Sequence, residues 1–138
     1  MWIADLSPWG RSPRLLAVGW LERGHAHALG EVAPEVYATL ANLLVDPWQP
    51  FCSVGLHSCD LCAYAGEKSG TANVFIPGDT CVFVAPELIL HYMNAHHYRP
   101  PEAFCRAVLA CPPMRTMAYR RALLAAGGAG FFEELGAD

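Results

Sequence analysis

Residues 47–70 form a long stretch that has neither helical nor strand periodicity and is rich in proline, glycine, serine and cysteine. An irregular stretch of this length is uncommon inside a compact domain, where it usually carries a function or a cross-link. It contains Cys59-x-x-Cys62, a turn that directs two sulfur atoms toward one point. Any fold of this chain must therefore accommodate two thiols that lie close together in a loop.

Two histidines follow in a segment that is predicted to be helical. His91 and His96 have a His-x4-His spacing, and a predicted β-hairpin separates them from the cysteines. Zinc takes four nitrogen or sulfur ligands in a tetrahedron, and Cys2His2 sites combine Cys-x2–4-Cys with His-x3–5-His. The spacing therefore predicts a Zn2+ site that ties the loop to the helix, with Cys59 and Cys62 as its first ligands.

The sequence offers three histidines as candidates for the third and fourth ligands. At about 100° per residue, His91 and His96 lie about 140° apart around a regular helix, so they converge only if the helix tightens or unwinds near His96. His57 stands two residues before Cys59 and competes for the same position. Among the histidines, His91 ranks first, and His96 and His57 rank equally after it.

Three other interpretations of the cysteine pair compete with a structural zinc site. The first is a packed, inert thiol pair, and the second is a redox dithiol, which normally stands at a helix N-terminus near a βαβ pattern. The third is a zinc-dependent hydrolase with three protein ligands plus water, and with Glu87 or Asp60 as the base. The His-Glu-x-x-His motif and the zinc-deaminase motif are absent from the sequence. We therefore favour a structural metal and assign no catalytic residue.

Turn and periodicity signals predict an α+β fold in a single domain of residues 1–138. Two N-terminal strands, 2–6 and 14–22, and a hairpin around the turn at 77–80 form a small antiparallel sheet. Three to four helices pack against this sheet and the zinc-tied loop, and they are predicted to begin near Pro34, Pro86, Pro101 and Arg115.

Several short motifs resemble those of an uncharacterised family of small bacterial proteins. They are Gly-x-His-x-Cys-x-x-Cys from Gly55, Asn-x-Phe-x-Pro-Gly from Asn73, Ala-Pro-Glu-Leu-Ile-x-His-Tyr from Ala85 and His-x-Tyr-x-Pro-Pro from His96. The resemblance implies that the Cys/His block and the helix belong together, and it implies no activity. In arrangement, the knuckle, hairpin and helix also resemble treble-clef zinc modules, whose helix supplies ligands from its first turn. The predicted helix start at Pro86 places His91 in the second turn.

The net charge and the hydropathy of the chain argue against several classes of protein. A net charge of −4 argues against a general nucleic-acid binder, because neutralising phosphates requires clustered lysine and arginine. No apolar run approaches the roughly twenty residues of a membrane-spanning helix, and the N-terminus does not resemble a signal peptide. Together with the uneven spacing of the six cysteines, this predicts a soluble, cytoplasmic protein without a disulfide framework. The hydrophobic fraction of 54% predicts a homodimer, and a non-catalytic zinc module is expected to bind a protein partner.

Overall fold

The strands lie mainly in the middle of the chain and three of the four described helices follow them, an α+β arrangement that confirms the predicted fold class. The computed structural model describes residues 2–10, 12–49, 57–62 and 69–127. The strands are β1 (Leu15–Ala17), β2 (His57–Ser58), β3 (Ser69–Gly70), β4 (Asn73–Pro77) and β5 (Val82–Pro86). The helices are α1 (Pro34–Leu43), α2 (Ile89–Ala95), α3 (Glu102–Ala110) and α4 (Met117–Gly127).

The β4–β5 hairpin lies at the centre of the fold and confirms the sequence prediction. Its strands are antiparallel, with Phe75 opposite Val84. The turn is closed by the Gly78 N–H, which donates to the Cys81 carbonyl at 2.8 Å. A Cβ at Gly78 would lie 2.8 Å from the ring of Phe83, so glycine is the residue that lets this ring pack over the turn.

The first strand differs from its prediction in length and direction. β1 runs parallel to β5, so the three-stranded sheet has the order β1-β5-β4 and is mixed rather than antiparallel. Parallel neighbours need a crossover connection, and the chain makes this one through α1 and the cysteine loop. The predicted strand at 2–6 is reduced to an isolated bridge between Ile3 and Trp20, and the strand predicted at 14–22 shortens to β1.

Both faces of the sheet are buried, which explains why β4 and β5 read as continuous apolar runs. Alternate residues of these strands enter two core clusters. One cluster joins the sheet to α1, α2 and α3 through side chains that include Leu40, Ile76, Phe83, Tyr92 and Phe104. The other joins the opposite face to α4 through side chains that include Trp20, Phe75, Val84, Tyr119 and Leu123. The sheet therefore separates the metal-ligand candidates of α2 from α4.

The helices begin close to the prolines that predicted them, with one exception. Pro34 is the first residue of α1, and Pro101 is the N-cap of α3. The predicted start of the second helix at Pro86 was wrong, because Pro86 is the last residue of β5 and α2 begins at Ile89. Within the described residues, none of the helices combines the length and apolar character that crossing a bilayer requires. Residues 131–135, for which the sequence predicts a last short turn, lie outside the described residues.

Candidate metal centre

The two cysteines lie on a turn that leaves the short β2–β3 ribbon. Cys59 directly follows β2 and is buried, and Cys62 is partly buried. Two hydrogen bonds from Arg23 hold this turn: its backbone N–H donates to Asp60 Oδ1 at 2.9 Å, and its guanidinium Nη2 donates to the Cys62 carbonyl at 3.1 Å. The turn is therefore fastened to the segment that follows β1.

The two histidines converge because helix α2 stops before the second of them. His91 lies in the first turn of α2, and the helix ends at Ala95. His96 is the C-cap with φ −120°, and His97 adopts a left-handed φ of +54°. The departure from helical geometry rotates His96 toward His91, and their ring centroids lie 5.0 Å apart. This is the local unwinding that the 140° separation of a regular helix requires.

Residues from the segment before α1 hold the end of α2 in place. The Gly30 N–H donates to the His97 carbonyl at 2.9 Å, and the Arg99 N–H donates to the Ala28 carbonyl at 3.0 Å. A bridge between Leu29 and Tyr98 lies between these two bonds. The position of His96 is thus set by contacts outside its own helix.

Four ligand atoms meet at the point where the turn faces the helix. Cys62 Sγ lies 3.1 Å from His91 Nε2 and 3.5 Å from His96 Nε2, and Cys59 Sγ lies 3.5 Å from His96 Nε2. The four atoms all lie within 4.8 Å of one another. Zinc bonds of about 2.3 Å to sulfur and about 2.05 Å to nitrogen put the sulfur and nitrogen atoms of a regular tetrahedron about 3.6 Å apart. The four side chains could therefore hold a metal ion.

The surroundings of His96 and Tyr92 favour the neutral form of each of these two side chains. Burial, and then the charges of His27 and His97, lower the pKa of His96 below its ordinary value. A lowered histidine pKa favours the neutral imidazole, which is the form that binds a metal. Burial, followed by the charge of Cys59, raises the pKa of Tyr92, so a neutral phenol packs beside the thiols.

The structure brings together four of the five residues named from the sequence. Cys59, Cys62, His91 and His96 form the cluster. The backbone of His57 lies in β2, where it pairs with Gly70, and its side chain lies outside the described residues. Of these two histidines, His96 has its ring nitrogen beside both sulfurs.

The two carboxylates considered as catalytic bases bind backbone groups instead. Glu87 Oε1 accepts the N–H groups of Thr71 at 2.6 Å and Ala72 at 3.1 Å. Asp60 Oδ1 accepts the N–H of Arg23. In the described part of the chain, the metal-ligand cluster contains no carboxylate. Both acidic groups thus act as local structural anchors.

One set of residues that supports the site was missed at the sequence level. Asp5 accepts the hydroxyl of Tyr98 at 2.8 Å through Oδ2 and the N–H of Gly19 at 3.0 Å through Oδ1. Tyr98 is fully buried two residues after His96. No sequence signal could have found this link, because it joins residues 93 positions apart.

The comparisons with known proteins place the chain in a family without assigning an activity. No curated protein and no solved structure gave a significant match. A family model described as a domain of unknown function (DUF7919) matches residues 1–109, a span that contains the whole Cys/His cluster and most of the sheet and helices around it. Since this match covers well over half of the chain, the protein belongs to the DUF7919 family.

Proposed function

We propose that this domain binds one Zn2+ ion through Cys59, Cys62, His91 and His96, and that the metal is structural. The observation that carries the proposal is the set of three sulfur–nitrogen distances between 3.1 and 3.5 Å. These distances match ligand edges of a tetrahedral S2N2 site. Cys62 Sγ approaches both imidazoles, so the atoms surround one point rather than forming separate pairs.

Zinc is the metal that this donor set favours. Two thiolates and two imidazoles in a tetrahedron are typical of zinc, whereas magnesium, calcium and manganese prefer oxygen ligands. Thiolates must be reduced to bind, and the cysteines of the described residues are free thiols: Cys59, Cys62, Cys81, Cys105 and Cys111. This supports the cytoplasm, a reducing compartment, as the location of the protein.

A structural role is favoured over hydrolysis because four protein ligands complete the coordination of zinc. A catalytic site keeps one position for water and places a base nearby. Here the carboxylates of Glu87 and Asp60 are bonded to backbone N–H groups. The metal would instead fasten the β2–β3 ribbon to α2, in the order knuckle, hairpin, helix. This order supports the treble-clef arrangement at His91, which lies in the first turn of α2, and departs from it at His96, which is the C-cap of that helix.

A domain whose metal is structural acts through its surface, so we further propose that it is a binding module for a protein partner, including a second copy of itself. Several large apolar side chains are exposed and are candidate contact residues: Leu29, Val45, Leu109 and Met117. Size-exclusion chromatography tests self-association. Elution as a 15.0 kDa species would contradict the homodimer.

Elemental analysis of the purified protein tests the metal proposal. We expect about one zinc per chain in protein prepared under reducing conditions without chelators. Cys59→Ser and His91→Ala should lose the metal, because three ligands bind far more weakly than four. The matched controls are Cys105→Ser and His25→Ala, which change the same residue types outside the cluster and should retain it.

Two outcomes would contradict the proposal. One is wild-type protein that contains no stoichiometric metal and takes up none when zinc is added. The other is full retention of zinc by both cluster variants. If the thiols instead formed a disulfide reversibly, with no metal bound, the redox interpretation would replace it.

A further inference from the structure

Glu87 links the chain that leaves β3 to the segment that leads into α2. Its Oε1 accepts the N–H groups of Thr71 and Ala72, and its own N–H donates to the Ala72 carbonyl at 2.9 Å. Three hydrogen bonds thus join one residue to the chain that leaves β3. A carboxylate that accepts two backbone N–H groups makes charge-assisted bonds, which are stronger than neutral ones.

Gly70 makes this contact sterically feasible. A Cβ built on Gly70 would overlap the Glu87 carboxylate and its Cγ. The side chain of Glu87 therefore lies directly on the backbone of β3. Any residue larger than glycine at position 70 would occupy the space that this side chain fills. Glycine at this position is explained by close approach rather than by a left-handed backbone.

Glu87 and the residues that it contacts lie only a few positions along the chain from Cys59 and from His91. Across the ribbon, Gly70 pairs with His57, and Cys59 follows at the end of β2. In the other direction, Glu87 stands two residues before α2 and four before His91. Glu87 thus joins two parts of the chain: its side chain bonds to the residues that directly follow the β2–β3 ribbon, between whose strands the cysteines lie, and its backbone leads into the helix that carries His91.

We propose that Glu87, seated on Gly70, is a positioning residue that holds the cysteine turn at ligand distance from helix α2 and thereby sets the metal affinity of the site. The inference rests on the proposed function, because it requires that the cluster binds a metal. In this role Glu87 holds the ribbon and takes no part in metal coordination or proton transfer.

Metal affinity in Glu87 variants tests this role. Zinc affinity is measured by competition with a chromophoric chelator, and the Co2+-substituted protein reports coordination through its visible absorption. Glu87→Ala removes the acceptor and should weaken zinc binding by about tenfold or more. Glu87→Asp keeps the charge but shortens the reach, and should weaken binding similarly. Glu87→Gln keeps an acceptor oxygen but loses the charge, so its zinc affinity should fall between those of wild type and Glu87→Ala. Glu35→Ala, an exposed carboxylate on α1, is the control that should change nothing.

A double-mutant cycle with Gly70 sharpens the test. Gly70→Ala should weaken zinc binding in the wild-type background, because its methyl group displaces the carboxylate. In the Glu87→Ala background the same substitution should have a smaller effect, because the overlapping atoms are gone. A purely stabilising role elsewhere would lower the melting temperature of the variants without changing the Co2+ absorption or this coupling.

The outcomes separate the two proposals. If wild type binds no metal, the proposed function fails. If wild type binds zinc but Glu87→Ala binds it equally well, the positioning role alone fails. It also fails if Glu87→Gln is as weak as Glu87→Ala, because charge rather than the hydrogen bonds would then matter. If Glu87→Ala does not fold, the comparison of Glu87→Gln with Glu87→Asp decides by the same criterion.

Discussion

Two buried tyrosines join distant parts of the chain through their hydroxyl groups. Tyr98 donates to Asp5, and Tyr119 donates to the Phe75 carbonyl at 2.6 Å. Burial raises the pKa of both phenols well above the ordinary tyrosine value, with Asp5 adding to the effect at Tyr98 and Cys111 at Tyr119. The protonated hydroxyl is therefore part of the folded structure at each position.

Replacement of Tyr119 by phenylalanine should change stability differently at neutral and alkaline pH. At pH 7 the lost hydrogen bond should cost about 1 kcal/mol. A folded-state pKa above the unfolded value means that stability is fully present below about pH 10 and falls as the pH rises further, by up to about 1.4 kcal/mol per unit for each such group. Tyr119→Phe removes one such group, so the alkaline decline should become shallower. Urea unfolding of wild type and Tyr119→Phe between pH 7 and pH 11 measures the free energy of unfolding at each pH. An equally steep alkaline decline in the two proteins would contradict the role of the protonated Tyr119 hydroxyl.

At the level of elements, the close contact between the end of β1 and helix α2 depends on one glycine. Gly19 has φ +81°, and a Cβ there would lie 3.0 Å from Ile89. Ile89 is the first residue of α2 and is fully buried. The turn after β1 thus packs against the start of the helix that carries His91.

Gly19→Ala should therefore destabilise the protein through both backbone and packing. The left-handed conformation costs about 1–2 kcal/mol for a residue with a Cβ, and crowding of Ile89 adds about 1 kcal/mol or more. Gly10→Ala is the matched control, because Gly10 has φ +70° and open space around its Cβ position. Denaturant unfolding should show the larger loss for Gly19→Ala. Equal losses would mean that strain alone acts and that the contact with α2 is unimportant.

The sequence predicts an element well when the signals for it lie within the residues of that element. The hairpin, α1 and α3 followed from turn residues, apolar spacing and proline positions. The start of α2 was misplaced because Pro86 suits the end of a strand as well as the first turn of a helix. The parallel β1–β5 pairing was missed because a crossover leaves no local signal. For the candidate site, residue types and spacing identified the cluster, whereas the contacts of Glu87 and Asp5 depend on tertiary structure.

For the whole molecule, the proposed metal would fasten a short ribbon to a domain that already has two buried apolar clusters. Both two-residue strands of the ribbon are too short to be stable alone. The apolar core lies mainly in the sheet and helices. Metal removal should thus loosen the ribbon and lower overall stability while leaving much of the core packing available.

Chelation should lower the melting temperature of the purified protein substantially. A ligand present at about a thousand times its Kd stabilises by about 4 kcal/mol, which corresponds to a shift of about 10 °C or more in a domain of this size. Calorimetry with and without a strong chelator measures the shift, and added zinc should reverse it. An unchanged melting curve together with loss of a hydrolytic activity would favour the three-ligand enzyme instead.

The family match ends before helix α4. The match ends at residue 109, inside α3, while α4 begins at Met117. The four candidate ligands lie inside the match. The opposite face of the sheet is covered partly by α4, through Tyr119 and Leu123, and partly by residues inside the match such as Trp20. The zinc proposal therefore concerns the part of the chain that defines the family, and none of its four ligands comes from α4.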